Sequence, residues 1–278
     1  MQLDSGFSCN SVIWVSSLPD SEQGPTRRMT EDIESISQQI GFGFQKIDVG
    51  NVTELEKLLQ ELAAHARDRN MRPLLHLDMH GNQDKGLLLS NGSEYCSWGR
   101  LSVLLREINL HTRNNLCVVG SACFGLRAIM PIKLNEATPF FLLLAPEQEV
   151  KTGFLEKNMA LFYRELFESG SIDGAYSRYL SDEFKYFHCE KMLFIVIARY
   201  IKEGCKGKTA QDRRERLLTD VFSQGMEKTT ENLQNIRKKI KDGIRPDQAL
   251  LDRYARKFLI NRPCSFNIAQ LMDVLDNE

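Results

Sequence analysis

The run Leu116-Cys117-Val118-Val119-Gly120-Ser121-Ala122-Cys123-Phe124-Gly125 is short, β-branched and apolar, and it stops abruptly at small residues around one cysteine. It reads as a buried strand that ends at a reactive position. About forty residues upstream, Pro73 to Asn82 repeats the design, with Leu74, Leu75, Leu77 and Met79 leading into His80, Gly81 and Asn82. One strand end presents an imidazole and the other a thiol. The remaining chain is read as the frame that brings those two ends together.

Upstream of this pair, Ser11 to Ser17 is β-branched and aromatic, and the Pro19, Gly24 and Pro25 that follow predict a mobile loop over Leu18 to Arg28. Thr30 to Ile40 has helical spacing, Phe44 to Val49 is a second strand, and Thr53 is the expected cap of a helix striped by Leu55, Leu58, Leu59 and Leu62. The resulting β-α-β-α-β order predicts a parallel sheet covered by helices, with chemistry at the carboxyl ends of its strands. Asn91-Gly92 suits a two-residue hairpin turn hanging beside His80, and Ser97 caps the next helix. Pro139 to Ala145 is a further buried strand, and a helix runs from Gly153 to Glu168.

From Ser171 the pattern becomes mainly helical, with Lys202 to Arg214 the expected linker and a natural place for a processing cut or activation switch. A turn at Gly243 to Pro246 precedes two short helices. The expected organisation is therefore a core over 1–170, flanking helices over 171–203, and a helical C-terminal extension over 204–278.

Composition narrows the function classes. With 278 residues, 42% hydrophobic, the chain can bury one substantial core with an appendage, and its formal net charge of −1 supplies no field for nucleic acid or anionic lipid. Arg213-Arg214 and Lys238-Lys239 read as the solvated faces of amphipathic helices. The apolar runs are short of a membrane span and the N-terminus has no leader pattern, so a cytoplasmic protein is expected. Seven cysteines without paired spacing indicate reduced thiols, and no metal or other cofactor is expected.

A thiol attacks as thiolate, so Cys123 needs a base, for which His80 is the candidate. The backbone amides of Cys123 and Gly81 are the expected oxyanion donors. Cys117 reads as buried and inert, Cys96 as a lesser candidate from the hairpin, and His65, His76, His111 and His188 as structural. Residues two apart share a strand face, so Ser121 is expected to line the substrate pocket beside Cys123. Ser121 is neutral, so a charged pocket needs an acid from elsewhere, with Asp48, Glu147 and Glu149 as candidates. Asp78, two before His80, is a candidate for orienting the imidazole.

These blocks, apolar-Asp-Met-His-Gly and Gly-Ser-Ala-Cys-Phe-Gly in that order, with Trp98 opening the following helix, resemble the caspase-like cysteine peptidases and most of all their bacterial CHAT branch. The resemblance covers about Ser11 to Glu168. It implies a caspase-like α/β fold, a His80–Cys123 dyad, Gly81 as an oxyanion donor, and cleavage of a partner protein, encoded nearby, in a bacterial defence or signalling system. The C-terminal helices are then the expected surface for a regulatory partner. The main alternative is an interaction module with a silent dyad. A cysteine amidotransferase or α/β-hydrolase fits less well, because there the nucleophile precedes the histidine on a strand-turn-helix elbow.

Overall fold

In the computed structural model, which describes residues 3–205, 207–243 and 246–277, the chain is an α/β protein. Strand β1 (Ser11–Ser17) is followed by a single 3-10 turn (Asp20–Glu22) and α1 (Gln23–Gln39), then β2 (Gly43–Asp48), α2 (Val52–Arg69) and β3 (Pro73–Asn82). A hairpin of β4 (Gly86–Leu88) and β5 (Tyr95–Cys96) leads to α3 (Trp98–His111), β6 (Cys117–Gly120), a second 3-10 turn (Gly125–Ile129) and β7 (Leu142–Pro146). After α4 (Thr152–Ser169) and α5 (Ile172–Tyr179) come β8 (Phe184–His188) and α6 (Cys189–Gly204). Helices α7 (Gly207–Ser223), α8 (Thr230–Gly243), α9 (Gln248–Phe258) and α10 (Ile268–Asp276) complete the chain.

The main sheet has the order β2-β1-β3-β6-β7-β8, parallel except for the antiparallel β7–β8 pair. Val12, Ile13, Trp14 and Val15 of β1 and Leu74, Leu75 and Leu77 of β3 are buried whichever way they point, as expected for strands covered on both faces. The chain leaves β1 toward β2 and then returns across it to β3, so right-handed crossovers put α1 on the face opposite α2 and α3. Accordingly α1 packs on α4, and α2 on α3. The reversal between β1 and β3 opens a crevice at the carboxyl ends of those strands, where ligands of open α/β sheets bind.

Several expectations need correction. Leu18 to Arg28 is no mobile loop: α1 begins at Gln23, seven residues before Thr30. Pro25 is its third residue, a position whose N–H has no partner in a helix anyway. The cap of α2 is Asn51, accepting from the Glu54 amide, and not Thr53, whereas Ser97 caps α3 as expected. Asn91-Gly92 does not form a two-residue turn. The strands separate earlier, and Gly92 closes a turn back to the Leu89 carbonyl with φ +88°.

The region after Ser171 is mainly helical as expected, but it also holds a strand the pattern did not show: Phe184–His188 pairs with β7 along five residues as the sheet's edge strand. His188 closes that strand, and its ring binds the Asp4 carbonyl at 3.0 Å. Lys202 to Arg214 is not a linker. Except for Lys206, outside the described residues, and Cys205, it belongs to α6 and α7, whose boundaries take up Gly204 and Gly207. The turn expected at Gly243 to Pro246 lies partly outside the described residues.

The last helices belong to the core. Leu251, Phe258, Leu259 and Leu271 are fully buried in the same hydrophobic cluster as the sheet. Phe258 accepts a hydrogen bond from Thr138 N–H at 3.0 Å. Arg262 lies over the Phe141 ring and donates to the Asn114 carbonyl at 3.1 Å. Helices α7 and α8 instead pack mainly on each other, with α7 also against α6. The appended part is therefore a helical hairpin, with the chain returning to the core after it.

Candidate active site

The register of β3 and β6 aligns the two sequence blocks. Leu77 pairs with Gly120, and the ladder gains one more bond where Ser121 N–H reaches the Leu77 carbonyl at 2.8 Å. His80 and Cys123 each lie three residues beyond that last pair, so adjacent parallel strands deliver them at the same level. Both line one cavity of about 420 Å³ at the carboxyl end of the sheet, together with Glu22, Thr26, Met29, Asp78, Ser121 and Val150. No helix or strand of the core supplies another histidine to it among the described residues.

Cys123 is half-buried and sits at the corner of a tight turn. Cys123 and Phe124 are its central residues, and Gly125 N–H closes it on the Ala122 carbonyl at 3.0 Å. Phe124 has φ +60°, a left-handed conformation that costs a residue other than glycine on the order of 1 kcal/mol. The turn is held in place by the Phe124 amide, which donates to the Gln148 carbonyl at 3.0 Å. The Cys123 sulfur accepts the Val150 N–H at 3.5 Å, a polar contact that suits a thiolate. The Cys123 amide donates to no other group among the described residues, as an oxyanion donor requires.

Gly81 presses against this turn. A Cβ there would lie 1.9 Å from the Cys123 carbonyl oxygen and 3.2 Å from its nitrogen, so only glycine lets β3 approach the nucleophile loop this closely. Beyond it, β3 continues into the hairpin, with His80 opposite Leu88 and Gly81 opposite Leu87. Trp98 fixes that hairpin from below through its indole N–H, 3.2 Å from the carbonyls of Asn82 and Gln83.

The partner of His80 is one that sequence reasoning missed. Its Nε2 is 2.7 Å from Glu22 Oε2, both side chains half-exposed, and no hydrogen bond joins His80 to Cys123 among the described residues. Glu22 escaped notice because Pro19, Gly24 and Pro25 were read as breakers. The acidic Asp20-Ser21-Glu22, followed by a proline at Pro25 in the first turn, was the available helix-start signal. Asp78 does not orient the imidazole. Its Oδ2 accepts the Thr26 hydroxyl at 2.6 Å and the Trp14 indole N–H at 3.3 Å, and burial raises its pKa above the usual carboxylate range despite those bonds.

The three acids proposed for a charged pocket lie elsewhere. Asp48 is paired with Lys46, Glu147 lines a separate cavity bounded by Phe124, Arg127 and Met130, and Glu149 borders neither. Ser121 does line the cavity with Cys123, as the two-residue period requires. Of the remaining thiols, Cys117 is fully buried and pushed far up by desolvation. Cys96 is buried in the hairpin, where burial pushes it up to about 11. His76 is structural as expected: it stacks on Trp14 with centroids 3.4 Å apart, and its Nδ1 meets the Tyr163 hydroxyl at 2.9 Å.

No protein-family model matches the chain, and a search of curated proteins finds no match either. The reading of the site therefore rests on its geometry. Among the described residues no group of three or more metal-binding side chains occurs, and no helix is long and apolar enough to cross a membrane.

Proposed function

We propose that the chain is a cysteine endopeptidase of the caspase-like CHAT type, with Cys123 as nucleophile and His80 as general base and acid. The observation that carries this reading is the convergence of two parallel strand ends, His80-Gly81 and Ser121-Ala122-Cys123, on one cavity, with the backbone of Cys123 packed directly on Gly81. His80 takes the thiol proton, and the sulfur attacks the scissile carbonyl carbon. The negative charge on the carbonyl oxygen is received by the amides of Cys123 and Gly81. His80 then passes the proton to the departing amine, and water hydrolyses the thioester by the same exchange in reverse.

The biological setting follows the same resemblance: cleavage of a partner protein encoded nearby, in a bacterial defence or signalling system. The seven unpaired thiols support a reducing, cytoplasmic compartment. The α7–α8 hairpin, which the core does not absorb, is the surface offered to a regulatory partner.

A second reading, a catalytically silent caspase-like interaction module, is favoured by one contact: His80 Nε2 engages Glu22 and not the thiol. The two readings separate on Cys123→Ala and His80→Ala. As a peptidase, each variant loses cleavage of peptides and of co-expressed neighbouring gene products while keeping the wild-type melting temperature. Full cleavage by either variant removes the dyad assignment.

A further inference from the structure

Resting on the peptidase reading of Cys123 and His80, we propose that the cavity beside the thiol is a specificity pocket for a basic side chain. It would take the lysine or arginine that precedes the scissile bond, with the Asp78 carboxylate as its anionic wall and the Ser121 hydroxyl as a second acceptor. The anionic group comes from the histidine strand, not from the strand of the nucleophile, whose equivalent position is the neutral Ser121.

Four observations carry the assignment. Asp78 is 3% exposed and lines the cavity, so its carboxylate is a fixed, desolvated charge and not a solvated surface acid. Its Oδ2 is occupied by the two neutral donors Thr26 and Trp14, which leaves Oδ1 with no hydrogen bond among the described residues. Ser121 is 6% exposed, lines the same cavity, and its hydroxyl has no hydrogen-bond partner among the described residues. Buried polar groups are almost always paired, so an orphaned hydroxyl and a carboxylate with an open oxygen on one cavity point to a donor-rich ligand.

The fourth observation is charge balance. The cavity lining holds two carboxylates, Asp78 and Glu22, the His80 imidazole bonded to Glu22, and neither lysine nor arginine. Lys46, whose charge reaches Asp78, is hydrogen-bonded to Asp48 at 2.6 Å. The remaining wall, with Leu18, Pro25, Met29, Val150 and Leu155, is apolar and suits the methylene stem of a long basic side chain. At about 420 Å³ the cavity is within the range of ligand pockets. The raised pKa of Asp78 agrees with a carboxylate kept from water, burial outweighing its two hydrogen bonds and the charges of Lys46 and His80.

The test uses agmatine, a guanidinium on a four-carbon stem that ends in an ammonium and holds no scissile bond, with the uncharged amide butyramide as control. With the full-length protein, agmatine is expected to raise the melting temperature and to slow iodoacetamide alkylation of Cys123, read by peptide mass spectrometry, whereas butyramide does neither. Asp78→Asn keeps an oxygen for Thr26 and Trp14, and should weaken agmatine about 30-fold or more, the loss expected when one partner of a buried charge pair is neutralised. Equal agmatine binding by wild type and Asp78→Asn, or no protection in either, overturns the proposal.

A peptide library with lysine, arginine, norleucine, glutamine or glutamate before the scissile bond separates this proposal from the peptidase reading. Cleavage that favours the neutral or acidic residues overturns the pocket and leaves the dyad standing. Agmatine protection that depends on Asp78, with no peptide cleaved, keeps the pocket and removes the peptidase.

Discussion

Gly81→Ala places one methyl group where the structure has no room for it. The added Cβ would sit 1.9 Å from the carbonyl oxygen of Cys123, against about 3.3 Å for the closest comfortable carbon–oxygen contact, a shortfall of about 1.4 Å. Strand β3 cannot recede, because β1 and β6 hold it on both sides and β4 extends the pairing through Gly81 itself. The turn carrying Cys123 has to yield, and it is anchored by the backbone bonds of Ser121, Phe124 and Gly125 and by the Val150 N–H on the Cys123 sulfur. Overpacking of this kind costs about 1–3 kcal/mol of stability, which a domain of this size tolerates. A displacement of about 1 Å of a reacting group costs on the order of 100-fold in rate.

The variant should therefore remain folded, with a modest loss in urea midpoint, while kcat/KM falls about 100-fold. Gly99→Ala and Gly153→Ala are the controls, since a Cβ at either meets nothing within 4 Å. Circular dichroism and urea titration follow the fold, and cleavage of a library-derived peptide follows the chemistry. If Gly81→Ala cleaves within threefold of wild type, Gly81 does not wall the nucleophile and the argument from its contact with Cys123 fails.

Asp78 makes stability depend on pH in a direction that follows from its environment. Burial raises its folded-state pKa, so the folded protein holds that proton more tightly than the unfolded chain does. The favourable contribution is complete below the usual carboxylate pKa and is lost as pH rises through the raised value. Asp78→Asn removes this dependence, so its urea midpoint should exceed the wild-type value near neutrality, with the gap closing as the medium is made acidic; a gap independent of pH counts against a strained carboxylate. Phe258→Ala tests whether α9 belongs to the core. Phe258 is fully buried, so the loss should be about 3–5 kcal/mol by urea unfolding in one transition, whereas a separate transition for the C-terminal helices would contradict the packing described.

The two strands and the placing of His80 and Cys123 at their ends were legible because both strands are buried on two faces. Their runs are continuous and apolar, and the small residues that end them are hard to mistake. What stayed hidden depended on contacts between distant segments. The pattern of Lys202 to Arg214 is polar and contains glycine, which describes a linker and a two-helix boundary equally well. Phe184–His188 is a short edge strand between helices, and only its pairing with β7 separates it from a connection. Glu22 was missed for a related reason. Two prolines and a glycine around it argue for a loop when taken locally, whereas the buried Thr26, Met29 and Ile33 stripe, packed on α4, extends the helix back across Pro25.

The division of labour at the end of β3 has a simple cause. Residues two apart on a strand share a face, so Asp78 and His80 point to one side, and Gly81 faces away from them. On β6 and the turn after it, Ser121 and Cys123 repeat the same alternation. Because Leu77 and Gly120 are in register, the two pairs meet over one cavity, base beside nucleophile and Asp78 beside Ser121. An acid at either inner position would face the same space. Which strand carries it changes what holds it: at position 78 it lies beside Trp14 of β1 and Thr26 of α1, two neutral donors that fix the carboxylate without neutralising it. On the proposed reading, that arrangement holds the carboxylate inside the fold with one oxygen open to a cationic ligand.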